Sequence, residues 1–399
     1  MISLFKPKKI KDFNPKGLKI YTFNAGFKKK DKDLLLIIFD RIINVCCIYS
    51  KTSTPSAPII WDKKNNKGKA KALVVNSGNA NAHTGNNGLK IIDTYVKKLS
   101  KKIQCKKNEV LVSSTGIIGE IFNPSLITNK FEILKPKNKN SLLDSAKAIM
   151  TTDTFPKVSI KKINLDNQSF KVYGIAKGSG MIQPNMGTML AYIFIECEVS
   201  KQLMNRLLKN NLDNTFNSIT VDSDTSTSDT LMMFSVGNKK INLSKKNFKT
   251  LNNKVYELMH DLSLQVIKDG EGVSKLIRVN VWNARSKNQA KKIAFSIANS
   301  PLIKTAIAGE DANWGRVIMA IGKTGENINQ NKIRVLFGNN IVCENGSVSK
   351  KINISKLDKY MKNSVIDINV KLNLGNFCHT VYGNDLTFEY LKINADYRS

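Results

Sequence analysis

The sequence predicts an α+β protein of layered sheets and helices. Three observations carry that expectation. Helical and strand-like patterns alternate without a regular βαβ rhythm, no segment repeats at a fixed period, and no Pro/Gly/Ser-rich linker divides the chain. At 399 residues there is room for one large core or two closely packed ones.

In chain order, residues 71–75 and 110–112 read as short strands. Residues 141–150 predict a helix, because Leu142, Leu143, Ala146, Ile149 and Met150 share a face and Ser141 with Asp144 resembles a capping box. Residues 189–195 and 231–236 are apolar runs of strand length. A second helix is expected over 255–267, with Leu258, Met259, Leu262 and Val266 inward and Gly270 soon after its end. A third covers 289–298 with Ile293, Ala294 and Ile297 apolar, and a strand follows at 333–337. Residues 135–139 and 239–246 read as lysine-rich surface loops.

The formal net charge of +32 invites a nucleic-acid reading, since a basic field attracts phosphate. The lysines, however, are spread along the whole chain among asparagines and isoleucines, as an AT-rich coding bias would leave them. No helix-turn-helix, RNP-type or zinc-finger signature accompanies them. A generally basic surface is expected, not specific nucleic-acid binding. Cys46, Cys47, Cys105, Cys197, Cys343 and Cys378 form no CxxC pair, so neither a metal site nor a disulfide framework is expected. No apolar run approaches the roughly 18–20 residues of a membrane-spanning helix. The N-terminal stretch lacks the pattern of a secretory signal, so a cytoplasmic location is expected.

Small and polar residues gather in dense blocks at 76–85, 113–120, 150–154, 174–190 and 221–230. Such loops commonly carry binding and catalysis, because their backbone groups are free to meet a ligand. The block 174–190 runs from Gly174, Gly178 and Gly180 through Pro184 to Gly187-Thr188, then directly into the apolar run. A threonine so placed suits attack by its hydroxyl on the preceding carbonyl. Opening of the resulting ester would leave Thr188 with an α-amine of pKa about 8 as its own base. An ordinary strand-entry threonine remains the competing reading. Thr115-Gly116, expected as a tight turn after residues 110–112, offers donors for a developing oxyanion, or is a plain turn. The acidic cluster from Asp222 to Asp229 lacks EF-hand spacing and reads as a hydrogen-bonded structural turn.

Taken together and in order, the blocks resemble a known family. NSGNANAHTG, VLVSSTGIIGE, AIMTTDTFPK, GIAKGSGMIQPNMGTML, FNSITVDSDTSTSDT, KDGEGVSK, SPLIKTAIAGEDANWGR and GNDLTFEYLKINADYRS look like the ornithine acetyltransferase, or bifunctional glutamate N-acetyltransferase (ArgJ), family from about Asn76 to Ser399. The resemblance implies a layered α/β/β/α sandwich of the self-processing N-terminal-nucleophile-like type. It implies cleavage between Gly187 and Thr188 into an α chain, 1–187, and a β chain, 188–399. Thr188 would take acetyl from N-acetylornithine and pass it to glutamate, with Thr115 and Gly116 as the oxyanion hole.

Thr151, Lys177, Thr188, Glu271, Asn394 and Ser399 fall where the family binds substrate, with Thr152 close enough to stand in for Thr151. Lys177 can neutralise a substrate carboxylate, and Glu271 can pair with the side-chain amine of ornithine; the competing readings are a surface lysine and a solvated loop carboxylate. No metal and no tightly held cofactor is implied; acetyl-CoA is a donor only if this member is bifunctional. The assembly implied is an α2β2 heterotetramer. Departures from the family are Gly187, where alanine is usual, and His83 and Asn384, where cysteines are usual. Gly187 loosens the scissile backbone, so slower cleavage is expected. His83 is expected as a packing substitute rather than a general base, and the segment Asn313 to Arg316 as a fixer of a loop near the site. An N-terminal-nucleophile aminopeptidase or amidohydrolase is the rival activity.

Overall fold

A computed structural model describes residues 2–10, 12–135, 140–165, 168–183, 189–241 and 244–396. Gly187, Thr188 and Ser399 lie outside the described residues, as do residues 136–139 and 242–243 of the two expected lysine-rich loops. The chain runs β1 (Leu18–Phe23), β2 (Leu34–Tyr49), α1 (Ala57–Asn65), β3 (Lys69–Asn79), α2 (Gly85–Lys102), β4 (Val110–Ile117), α3 (Ser125–Glu132) and α4 (Leu142–Ala148). It continues through β5 (Lys157–Leu165), β6 (Gln168–Lys177), β7 (Leu190–Ile195), α5 (Lys201–Leu212), β8 (Thr230–Ser235) and α6 (Lys245–Lys268). A second run holds β9 (Leu276–Ala284), α7 (Lys287–Ala298), α8 (Pro301–Ala308), α9 (Trp314–Gly322), β10 (Arg334–Phe337), β11 (Asn340–Glu344) and β12 (Ser347–Val348). It closes with α10 (Ile354–Met361), β13 (Val365–Lys371), β14 (Phe377–Asn384) and the helix α11 (Phe388–Asp396).

Strand β2 builds the architecture. Its first half pairs with β1 and β3, its last residues pair with β8, and the register shifts between Ile38 and Ile43. The strand thereby passes from one layer into the next. Side chains alternate accordingly. Leu34 and Leu36 pack outward with Trp61, Ile92 and Phe131 of the α1–α3 layer, while Leu35 and Ile37 pack inward with Tyr192, Phe194 and Phe234. On β7, Tyr192 and Phe194 face that shared interior, and Ala191, Ile193 and Ile195 face Leu207, Leu258 and Leu262 of α5 and α6. The result is an α/β/β/α sandwich. Both faces of β7 are covered, which is why it reads as an unbroken apolar run, as does the first stretch of β2 from Leu34 to Phe39 before the exposed residues 40–42. Gly174 lets α6 seat closely, since a Cβ there would lie 2.7 Å from Leu262 and 2.8 Å from Leu258.

The second run forms its own sheet, in the order β12-β11-β10-β13-β9-β14, over a separate core with Ile293, Ile297, Val335 and Ile368. Two closely packed cores is therefore the arrangement adopted. They are joined where the Thr220 N–H donates to the Tyr382 carbonyl at 2.9 Å.

Helix α4 carries the expected Ser141–Asp144 capping box. Helix α6 starts at Lys245, capped by Ser244, well before the expected residue 255. Its first turns bury only Asn247 and Leu251, so they show almost no apolar stripe; residues 245–246 are helix, not loop. Strands β3 and β4 run on to Asn79 and Ile117, because Asn76, Ser77, Ser113, Ser114 and Thr115 are buried in the ladder despite their polarity. Thr115-Gly116 therefore closes a strand rather than forming a turn. His83 is exposed with φ 56 rather than buried as a packing substitute would be. Among the described residues, no helix is long and apolar enough to cross a membrane.

Candidate active site

One cavity of about 260 Å³ collects nearly all the expected site residues that are described. Thr115 and Gly116 enter from β4, Thr151 and Thr152 from the loop after α4, Lys177 from the end of β6, Glu271 from the turn after α6, and Asn394 from α11. Met189 and Leu190, which follow Thr188, line the same cavity, as does Ile182 before residues 184–188.

Backbone geometry shapes the β3–β4 wall. Gly78 (φ 103) and Gly116 (φ 131) occupy conformations that favour glycine. The two strands lie parallel, with Gly78 opposite Gly116, and a Cβ at Gly116 would collide with the Gly78 backbone. On the opposite wall, Glu271 accepts a hydrogen bond from Asn394 Nδ2 at 2.9 Å and donates its own N–H to the Ser179 carbonyl at 3.0 Å. Gly180 makes room for it, since a Cβ there would lie 2.5 Å from the Glu271 carboxylate. Lys177 Nζ donates to Thr151 Oγ1 at 3.3 Å, and Thr152 Oγ1 meets Ser179 Oγ at 2.6 Å.

Beneath the floor lies a charge network that the sequence did not reveal. Asp153 Oδ1 accepts from Lys157 Nζ at 2.5 Å and from the Gly178 N–H at 2.7 Å; its Oδ2 accepts from the Thr151 N–H at 2.9 Å. Lys157 reaches across to Asp269 Oδ2 at 2.6 Å, and Asp269 also receives the Thr154 N–H at 2.9 Å. Burial works against the Asp153 carboxylate, yet the Lys157 and Lys177 ammoniums outweigh it and hold its pKa at about 2. Burial lowers the pKa of Lys177, against the pull of Asp153 and Asp229. Asp229 is 2% exposed and lines the cavity, and burial pushes its carboxyl well above the usual range. Asp153 and Lys157 stand in the segment AIMTTDTFPK and Asp269 in KDGEGVSK, but only folding buries Lys157 between the two carboxylates.

Asp222 does tie a turn together, accepting the Met181 and Ile182 N–H groups at 2.6 and 2.8 Å. Asn313 and Trp314 belong elsewhere: Asn313 caps α9, Trp314 packs on the second core, and Arg316 reaches the Leu302 carbonyl at 2.5 Å. Asn313, Trp314 and Arg316 do not line the cavity, which corrects the expected loop-fixing role near the site.

The layered fold and this polar cavity define an enzyme acting on a small charged molecule. The ArgJ family model matches residues 19–399, and the chain belongs to the ArgJ family. It is 44% identical over 390 residues to the arginine biosynthesis bifunctional protein ArgJ of Bartonella henselae, covering 96% of this chain and 95% of that protein. With the protein of the same name from Brucella melitensis it shares 40% over 393 residues, again covering 96% and 95%. The crystal structure of the arginine biosynthesis bifunctional protein ArgJ from Bacillus halodurans is 32% identical, covering 52% of this chain and 98% of that chain at a TM-score of 0.49.

Proposed function

We propose that this chain is an acetyltransferase of arginine biosynthesis that moves acetyl from N-acetyl-L-ornithine to L-glutamate through an acetyl-Thr188 intermediate. One observation carries the reading: Thr115, Gly116, Thr151, Lys177, Glu271 and Asn394 meet in a single cavity that Met189, the covalent neighbour of Thr188, also lines.

In the proposed maturation, the Thr188 hydroxyl attacks the Gly187 carbonyl carbon. The C–N bond breaks as the C–O bond forms, and the hydroxyl proton passes to the departing amine. Water opens the ester, giving an α chain of 1–187 and a β chain of 188–399. In catalysis the free α-amine takes the Thr188 hydroxyl proton while Oγ attacks the acetyl carbonyl. Thr115 and Gly116 stabilise the oxyanion, and the proton leaves on the amine of ornithine. The α-amine of glutamate then attacks the acetyl ester, returning the proton to Thr188 Oγ. Glu271, oriented by Asn394, pairs with the substrate ammonium, and Lys177 pairs with its carboxylate. Ser399 completes the substrate set. The scheme draws on no metal and no bound cofactor. Acetyl-CoA is a second donor if this member is bifunctional, as the names of its relatives have it. A cytoplasmic α2β2 assembly completes the proposal.

Intact-mass analysis should give two fragments, the larger beginning at Thr188. Acetylornithine alone should then release a burst of ornithine equal to the enzyme present. Ornithine release strictly dependent on glutamate removes the acetyl-enzyme. Free acetate with no acetylglutamate favours an amidohydrolase instead.

A further inference from the structure

The segment SPLIKTAIAGEDANWGR ends away from the cavity at Asn313 to Arg316, but its first lysine lies deep in the protein. Lys304 stands on α8 beside Ile303 and Ile307 of the second core and is 4% exposed. Its Nζ donates to the Asn384 carbonyl and, at 3.1 Å, to Asn384 Oδ1; its own carbonyl accepts the Leu386 N–H at 3.3 Å. Burial lowers its pKa to about 8, against the pull of the Asp385 and Asp222 carboxylates. Keeping an ammonium buried against uncharged acceptors is costly, and a methionine of similar length would fill the space without that cost. Packing alone therefore does not account for the cation.

What the ammonium holds leads to the cavity. With Oδ1 on Lys304, the Asn384 amide turns Nδ2 towards Gly270, where a Cβ would lie 1.8 Å from it. Among the described residues that Nδ2 has no hydrogen-bond partner, so the bond to Lys304 decides which way the amide faces. The residues after Asn384 clasp the same turn. The Asp385 carboxylate accepts the Ser274 N–H at 2.9 Å and the Ser274 hydroxyl, and the Asp385 N–H donates to the Lys275 carbonyl at 3.0 Å. Thr387 Oγ1 donates to the Gly272 carbonyl at 2.7 Å. Residues 384–387 thus bracket residues 270–275, with Glu271 inside the bracket, and α11 with Asn394 begins directly afterwards at Phe388.

We propose that Lys304 is a positioning residue for substrate recognition: by fixing the Asn384 carbonyl and amide it sets the 270–275 turn, and so aims the Glu271 carboxylate at the substrate ammonium. The role rests on the assignment of Glu271 to that ammonium, given above, and leaves the acetyl-transfer steps themselves untouched. Lys304 does not line the cavity, so its effect passes through Asn384 and Gly270. The same clasp sets the start of α11, so the second core, through one buried cation, holds both Glu271 and the Asn394 that orients it.

The test is a double-mutant cycle on the full-length protein: Lys304→Met, Glu271→Gln and the two combined, read as KM and kcat for acetylornithine at saturating glutamate, with melting temperatures alongside. Lys304→Met should raise KM about tenfold while kcat stays within about threefold of the parent chain. In the Glu271→Gln background the same change should raise KM hardly further, because the group it aims is already disabled. Asn384→Ala keeps the cation and removes only the side-chain acceptor; it should give a smaller rise in KM that likewise vanishes beside Glu271→Gln. It carries the test if Lys304→Met does not fold. The proposal is overturned if KM is unchanged in the variants that fold, if the loss lies in kcat, or if the losses add to that of Glu271→Gln. An unchanged KM in Glu271→Gln alone overturns the parent assignment, and this role with it, before Lys304 is altered.

Discussion

Lys157 and Asp269 meet at 2.6 Å with neither side chain reaching solvent. One opens strand β5 and the other caps the C-terminus of helix α6, so the ion pair joins a sheet edge to a helix end just below the cavity. Asp153 closes the other side of the ammonium at 2.5 Å.

Removing the cation strands two buried carboxylates. Lys157→Met should cost about 3–5 kcal/mol, read by denaturant unfolding, because breaking a buried pair leaves uncompensated charge. Pairing it with Asp269→Asn should recover part of the loss. Lys157→Met as stable as the parent chain would mean that the pair is not electrostatically coupled in solution.

The β3–β4 wall tolerates no side chain at its tip. Gly116→Ala combines a φ of 131 with a collision against the Gly78 backbone, so it should displace the Thr115–Gly116 segment. A fall of roughly 10²-fold or more in kcat is expected if these residues hold the oxyanion. Unchanged kcat with unchanged KM would remove them from that role.

Recognition of the substrate ammonium is assigned to Glu271. Glu271→Gln should reduce kcat/KM for acetylornithine by about 1.5–3 kcal/mol, the worth of a charged hydrogen bond. Asn394→Leu removes the donor that fixes Oε2 at 2.9 Å and should produce a smaller loss of the same kind. If Asn394→Leu is the more damaging of the two, its role is not that of an orienter.

His379 predicts acid sensitivity in the second core. Burial, then the Lys291 and Lys287 ammoniums, lower its pKa from 6.5 to about 4, while its Nε2 lies 2.9 Å from Ser218 Oγ. Between those two values the unfolded chain binds the proton that the folded chain refuses. Stability should therefore be full above about pH 6.5 and decline as pH falls towards 4. Melting temperatures of His379→Gln should depend less on pH across that window; an identical slope would assign the effect to other groups.

Some of this was legible locally. Ser141 and Asp144 form a capping box because both partners lie within one turn. The apolar run at 189–195 announces a strand covered on both faces, which β7 is. Thr151 and Lys177 stand in dense polar blocks and, with Glu271 from a segment singled out by the family resemblance, do converge on one cavity. Lys157 closes the quoted segment AIMTTDTFPK, but it is one of 63 lysines and arginines and nothing in its neighbours shows that it will be buried. The first turns of α6 were missed because a helix end lying on the surface leaves little apolar periodicity.

The sequence by itself determined which segments bury apolar side chains and which blocks carry hydroxyls, glycines and charges, since periodicity and composition act over a few neighbouring residues. Only the tertiary structure decided that β2 crosses between layers, that Gly78 and Gly116 touch, that Lys157 is buried between Asp153 and Asp269, and that Asp229 lines the cavity. Those relations depend on distance and dielectric between residues far apart in the chain, and burial, which sets the strength of every charge among them, is a property of the packed whole.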